Sequence, residues 1–124
     1  MYVTGVTGIL TCKINSRASA HVVIATKPTR FCKKHVVSEN NVHYGFSFFV
    51  AGSIKTITKP HFYIKIYHNC TSYRNKFPQT LVEVIPKNYI FKVRRSVQFW
   101  NIGKIELSSP YQQNMPIYRK RYSI

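Results

Sequence analysis

The side chains that could do chemistry in this chain are few, and cysteine and histidine supply most of them. The three cysteines, Cys12, Cys32 and Cys70, can form at most one internal disulfide and leave at least one thiol over. The five histidines are scattered, and no C-x-x-C or H-E-x-x-H pattern is present, so we expect neither a metal site nor a cofactor. Only three glutamates and no aspartate are available to orient a catalytic base. These counts favour a binding protein over an enzyme.

The cysteines allow alternatives that the residues alone leave open. Cys12 and Cys70 both fall on core-facing positions at the ends of predicted strands, which favours a bridge between them and leaves Cys32 as the free thiol. Three inert thiols in a reducing compartment fit the spacing equally well. Cations flank Cys32, so a reactive thiol is a further alternative, although a solvated loop cysteine or an intermolecular bridge is the simpler interpretation.

Lysine and arginine dominate the charge of the chain. The 19 basic residues face 3 glutamates, which gives a formal net charge of +16. A protein of this charge attracts polyanions such as sulfated glycans, anionic lipid headgroups and nucleic acids. Our anion-binding candidates are the loop residues Lys27, Arg30, Lys33 and Lys34 and the tail residues Arg119, Lys120 and Arg121. A merely solvated basic surface is the alternative interpretation.

Short β-rich segments must position these residues. Seven segments rich in β-branched and aromatic residues are separated by turn residues, a pattern typical of an all-β sandwich. They span residues 3–11, 21–25, 44–50, 61–69, 80–85, 89–93 and 98–107. Residues 38–41 and Gly52-Ser53 are interpreted as breaks, and the irregular stretch 27–42 as a loop or a short edge strand.

Alternation along the strands predicts which side chains form the core. In residues 61–67 the even-numbered positions are predicted to point inward and the odd-numbered ones outward, and the same parity places His68 inward and Asn69 outward. In the last strand the apolar row changes parity after Ile102, which predicts a β-bulge at Gly103-Lys104. Asn69 also begins an Asn-Cys-Thr sequence and is therefore a glycosylation candidate.

Four segments of the chain form an ordered pattern. Gly5–Cys12 is a glycine-containing strand that ends in cysteine, and Lys65–Cys70, within the segment His61–Cys70, has the sequence Lys-Ile-Tyr-His-Asn-Cys. Val84–Ile90 carries Ile-Pro-x-x-Tyr-Ile, and Trp100–Leu107 carries an aromatic residue followed by Asn-Ile-Gly. In order and spacing these segments resemble motifs of the transthyretin-like family of secreted nematode proteins, in which aspartate takes the place of Asn69 and Asn101. The chain departs from the family where residues 26–42 are basic rather than acidic.

The resemblance implies a seven- to eight-stranded immunoglobulin-like or prealbumin-like β-sandwich in which Cys12 and Cys70 are bridged. It implies one transthyretin-like domain over residues 1–124, with a basic tail from about 110 to 124. Members of the family are secreted with a cleavable signal peptide, so we interpret the bare start at Met1 as a missing or removed leader. The expected location is the extracellular region or the cell surface.

Charge and resemblance together predict a non-catalytic binding protein for an anionic extracellular or cell-surface ligand: a glycan, a lipid headgroup or a receptor. The alternative is an intracellular nucleic-acid-binding module. In that alternative, lysine and arginine side chains contact phosphates, and exposed aromatic residues such as Tyr63 or Tyr67 stack on bases.

Overall fold

The computed structural model describes residues 1–14, 19–28, 33–70, 79–92 and 97–108, and within them eight strands form two sheets. The predicted basic tail from about 110 to 124 lies outside the described residues. Two short 3-10 helices, Lys33–His35 and Lys87–Tyr89, join strands. The strands are β1 Tyr2–Thr11, β2 Ser19–Ala25, β3 Val36–His43, β4 Ser47–Ile54, β5 Tyr63–His68, β6 Gln79–Val84, β7 Ile90–Lys92 and β8 Trp100–Glu106. The all-β sandwich predicted from the sequence is confirmed.

Strand β1 is the centre of the first sheet. Strand β4 pairs with it antiparallel along one edge, from Tyr2 to Ile9. Strand β7 pairs antiparallel with residues 2–4 on the other edge, and β8 continues that edge in parallel from Val6 to Thr11. The second sheet has the order β3-β2-β5-β6, and all of its pairings are antiparallel. Strands β3 and β4 are therefore edge strands of the two different sheets.

The core lies between the sheets and follows the two-residue period of the strands. Phe62, Ile64 and Ile66 are between 0% and 3% exposed, which confirms the predicted inward row of β5. The hydroxyl of Tyr44, in the turn between β3 and β4, is buried and finds no hydrogen-bond partner among the described residues. Burial, and secondarily the charge of Glu106, raise the pKa of Tyr44.

The outward row of β5 is less accessible than the alternation suggests. Tyr63 is 6% exposed and Lys65 only 2%, and Val23 and Val82 beside Lys65 in the sheet are also buried. Tyr67 is half-buried, and burial raises its pKa. The expectation that Tyr63 is an exposed aromatic is therefore wrong, because both faces of the sheet are covered at this point.

Two expected breaks are instead parts of strands. Residues 36–43 form the full-length edge strand β3, whose polar middle is exposed while its backbone pairs with β2. Gly52-Ser53 lies inside β4, opposite Val3 and Thr4 of β1. A Cβ atom at Gly52 would come within 2.7 Å of Val37 Cγ1, so the close approach of β3 explains the glycine.

The parity change in β8 coincides with a bulge. The register with β1 shifts between Thr7 and Ile9, which pair with Asn101 and Lys104. Gly103 has a positive φ of 79°, a conformation that glycine adopts at little cost, and its N–H donates to Asn101 Oδ1 at 2.8 Å. Gly103 therefore belongs to the bulge, as the sequence predicts.

Candidate anion-binding surface

A disulfide joins the two sheets at one end of the sandwich. Cys12 follows β1 in the first sheet, Cys70 follows β5 in the second, and their Cα atoms are 5.9 Å apart. The bridge that the family resemblance implies is thereby confirmed. Cys32, the predicted free thiol, lies outside the described residues.

His68 lies against this bridge as a neutral hydrogen-bond acceptor. Its Nδ1 accepts the backbone N–H of Cys70 at 3.1 Å, and its side chain is 5% exposed. Burial lowers the pKa of His68 to about 4, because the charged imidazolium would lose its hydration. The inward parity predicted for His68 is confirmed, and its environment suits a structural role beside the disulfide.

Glu106 fastens the ends of β1 and β8 on the other side of Cys12. Its carboxylate accepts hydrogen bonds from Thr11 Oγ1 at 2.7 Å, from the N–H of Lys13 at 2.9 Å, and from both the N–H and the hydroxyl of Ser108. Burial alone would raise the pKa of Glu106, but the bonds from Ser108, Thr11 and Lys13 outweigh it and lower the pKa to about 2. This glutamate is therefore fully occupied at neutral pH and does not offer a free carboxylate to a ligand.

The remaining described acid and base groups do not form a metal centre. His21 Nε2 lies 3.1 Å from Glu39 Oε1 on the outer face of the second sheet, and its Nδ1 lies 2.8 Å from Asn41 Oδ1. His61 is exposed in the segment that precedes β5. Within the residues that the structure describes, no three His, Cys, Asp or Glu side chains come together as metal ligands.

The structure places part of the predicted basic loop. The N–H of Thr26 donates to the carbonyl of His35 at 3.0 Å, which closes the β2–β3 connection at its base. Lys27 and Lys34 follow and precede these two residues, and both side chains are exposed. They are thus brought to the same end of the sandwich. Lys33 begins the 3-10 helix of this connection, whereas Arg30, Arg119, Lys120 and Arg121 lie outside the described residues.

A second basic cluster, which the sequence analysis missed, lines a pocket beside the first residues of β1. The pocket has a volume of about 300 Å³, and we call it the basic pocket. None of the three glutamates of the chain is among its described lining residues. Those lining residues are Tyr2, Lys59, Asn88, Ile90, Phe91 and Lys92.

Lys59, which lines the basic pocket, and Lys87, the neighbour of the lining residue Asn88, hold two loops together by reciprocal hydrogen bonds. Lys59 Nζ donates to the carbonyl of Lys87 at 3.0 Å, and Lys87 Nζ donates to the carbonyl of Pro60 at 3.0 Å. The two loops meet because β5 and β6 pair antiparallel and the N–H of Ile85 donates to Phe62 O at 2.9 Å. A prediction that β5 and β6 pair antiparallel would have indicated this proximity, because the pairing brings the residues before β5 and after β6 together.

A second groove, larger than the basic pocket, has a different character. It lies between edge strands β3 and β4 and has a volume of about 540 Å³. Glu39 and the exposed Phe46 and Phe49 line it, and no lysine or arginine is among its described lining residues. Phe49 also stacks on Phe99 with ring centroids 5.6 Å apart. This groove is therefore a poor match for an anion.

The described surface carries many more positive than negative side chains. Of its glutamates, Glu39 lies beside His21 and Glu106 is occupied by its hydrogen bonds. The described lysines with exposed side chains are Lys13, Lys27, Lys34, Lys55, Lys59, Lys87, Lys92 and Lys104. Cations therefore face solvent over much of the described part of the chain.

Two further observations bear on location. Asn69, the glycosylation candidate, is exposed immediately before the bridged Cys70, while Thr71 of the same motif lies outside the described residues. A search of the described residues for a helix of the length and hydropathy needed to cross a membrane finds none.

Comparison with known proteins identifies one family. The family model described as the transthyretin-like family matches residues 7–86, from within β1 to just beyond β6, and so includes both bridged cysteines. The segments of resemblance in β7 and β8 lie beyond this match. No curated protein matches the chain.

Proposed function

This chain belongs to the transthyretin-like family, and we propose that it is a secreted, non-catalytic binding protein of the extracellular space or cell surface. Its ligand is anionic: a glycan, a lipid headgroup or an acidic receptor surface. The proposal combines the family, which sets the sandwich, with the charge that distinguishes this chain within that sandwich.

The observation that carries the proposal is the imbalance of charge on the described surface. Exposed lysines lie in the β2–β3 connection and around the basic pocket, and the pairing of Ala25 with Tyr63 places both at the same end of the sandwich. The chain offers them only three glutamates; of these, Glu39 lies beside His21 and Glu106 accepts a hydrogen bond from Thr11 within the fold. An anionic partner would therefore be attracted electrostatically and would relieve repulsion among the lysines.

An oxidising environment agrees with the covalent structure. Disulfides persist in secreted and extracellular proteins and are rare in the reducing cytosol. The Cys12–Cys70 bridge joins the two sheets, so its loss would affect the whole sandwich rather than one loop. This supports secretion as part of the proposal.

The environment of His68 makes it a poor candidate for a catalytic base. His68 is buried with a pKa of about 4, which keeps it neutral at physiological pH and unable to gain a proton there. Its Nδ1 is already occupied by the N–H of Cys70. It therefore lacks the free, poised nitrogen that a general base needs.

The two tyrosines named for the competing nucleic-acid-binding role are poorly placed for base stacking. Stacking needs exposed aromatic faces, but Tyr63 is 6% exposed and Tyr67 is half-buried. The exposed Phe46 and Phe49 line a groove with no lysine or arginine among its described lining residues. The lysines could still attract phosphates, so single-stranded DNA serves as a competitor in the test rather than as the proposed ligand.

The test compares three polyanions at matched salt: heparin, vesicles containing anionic lipid, and single-stranded DNA. We expect salt-sensitive binding to heparin or to vesicles that is tighter than binding to DNA. A preference for DNA with affinity that depends on base sequence would refute the proposal, as would the absence of binding to all three. The neutralised pair Lys27→Gln and Lys34→Gln reports whether the β2–β3 connection takes part.

A second test addresses compartment. We expect expression of the full native transcript to give a secreted product in which mass spectrometry counts one free thiol. A cytosolic product with three free thiols would contradict both the location and the bridge.

A further inference from the structure

We propose that the basic pocket binds one sulfated sugar unit of an extracellular glycan. The inference rests on the proposed function and adds to it the ligand class and the site.

The pocket concentrates positive charge without an acidic neighbour. Lys59 and Lys92 line it, and the ammonium of Lys87 is tied to the loop that carries Lys59. None of the chain's glutamates lies among the described lining residues. A sulfate group in the pocket would be attracted by these ammonium groups and would reduce their mutual repulsion.

One of the two lining lysines is already positioned. Lys59 Nζ donates one hydrogen bond to the carbonyl of Lys87, and Lys87 Nζ donates one to the carbonyl of Pro60, at 3.0 Å in both cases. An ammonium group has three donors, so Lys59 retains donors for a ligand in the pocket. Because the side chain of Lys59 is held before binding, less conformational entropy is lost on complex formation.

The other lining residues suit a sugar ring rather than a bare ion. Asn88 is exposed, and its amide offers both a donor and an acceptor to ring hydroxyls. Ile90 and the half-buried Phe91 add apolar surface to the wall. A volume of about 300 Å³ leaves room for a ring together with its sulfate.

A membrane headgroup is the alternative source of the anion, and one residue makes it testable. Ile57 is 97% exposed on the loop that carries Lys59, where it could insert into a lipid surface. The glycan is favoured because the pocket is concave and combines charge with an amide and apolar walls. A membrane site would need Ile57, and a glycan site would not.

The experiment measures binding of a heparin-derived oligosaccharide by titration calorimetry. The double variant Lys59→Gln and Lys92→Gln removes two pocket charges, and Lys13→Gln with Lys104→Gln removes two exposed charges elsewhere. The controls are distant because Lys92 pairs with Tyr2 and Lys104 with Ile9 of β1, roughly 24 Å apart along the strand at about 3.4 Å per residue.

We expect the pocket variant to bind roughly tenfold or more weakly and the control variant to lose no more than about threefold, because the lost charge-assisted bonds are local. Replacement by arginine at both pocket positions should restore most of the affinity by keeping the charges. Asn88→Ala should weaken the oligosaccharide but leave binding of inorganic sulfate unchanged. Far-ultraviolet circular dichroism and urea midpoints confirm that each variant is folded.

Equal losses in the pocket and control variants would overturn the inference while leaving the proposed function intact. Wild-type protein that binds neither heparin, anionic vesicles nor DNA would overturn the proposed function itself. Preference for vesicles over the oligosaccharide, abolished by Ile57→Ser, would assign the surface to a membrane and overturn the glycan site.

Discussion

Protonation of His68 should destabilise the protein in mildly acidic solution. Its imidazole is buried beside the inter-sheet disulfide, where Nδ1 accepts the N–H of Cys70. The pKa of 6.5 expected in the unfolded chain falls to about 4 in the folded one. Between these values the unfolded state binds the proton more strongly, so stability present above pH 6.5 is lost as the pH falls towards 4.

The size of the effect follows from the two pKa values. The lowered pKa corresponds to a loss of about 3 kcal/mol in the free energy of unfolding once His68 is fully protonated. At pH 5 the expected loss relative to pH 8 is about 2 kcal/mol. The carboxylate of Glu106, with a pKa of about 2, titrates in a lower pH range, so pH 5 isolates the histidine.

Urea unfolding at pH 8 and pH 5 measures this difference. In His68→Gln the amide oxygen can accept the N–H of Cys70 without titrating, so we expect its loss at pH 5 to be smaller than that of wild type by about 2 kcal/mol. His61→Gln, which changes an exposed histidine, should retain the full loss. If His68→Gln lost as much stability at pH 5 as wild type, the reasoning from burial would be refuted.

Three further predictions concern the sandwich around the disulfide. Replacing Cys12 and Cys70 by alanine should lower the free energy of unfolding by about 4 kcal/mol, because the bridge spans a sequence separation of 58, and an unchanged urea midpoint would contradict this. Glu106→Gln should cost about 1–2 kcal/mol at pH 7 and remove the loss of stability that wild type shows as the pH falls from 4.5 towards 2; identical acid titrations of the two proteins would disprove the clamp. Tyr44→Phe should keep or raise stability by about 0.5–1 kcal/mol, since it removes a buried hydroxyl without a described partner, and calorimetry showing a loss above about 1 kcal/mol would reveal a hidden bond.

The fold was predictable where burial imposes alternation and was left open where an edge strand faces solvent, since residues 27–42 were interpreted as a loop or a short edge strand. Phe62 and the even-numbered residues that follow it in β5 predict a buried row, because nearly every second residue is large and apolar. Strand β3 carries exposed Glu39, Asn40 and Asn41, which resemble a turn in composition. Backbone hydrogen bonds to β2 hold β3 in place, and this pairing cannot be detected from the pattern of apolar residues.

The candidate site also had one part that could be predicted from the sequence and one part that could not. The Cys12–Cys70 pair could be predicted because a family resemblance supplied what spacing left open. Lys59 and Lys92 could not, since their proximity arises from the pairing of β7 with β1 and from the meeting of two loops. Lys65 is a lysine like Lys59 and Lys92, but it is buried within a sheet. A count of charged residues along the sequence therefore does not show where a charged surface lies.

The parallel pairing of β1 with β8 also has a consequence for how the chain acquires its structure. Thr11 and Glu106 meet across 95 residues, so the central strand of the first sheet cannot complete that edge until β8 has left the ribosome. Contacts this distant in sequence slow folding, because a long loop must close before they form. A chain stalled or cleaved before β8 would leave Val6 to Thr11 with an unpaired edge, and such an edge is a template for aggregation.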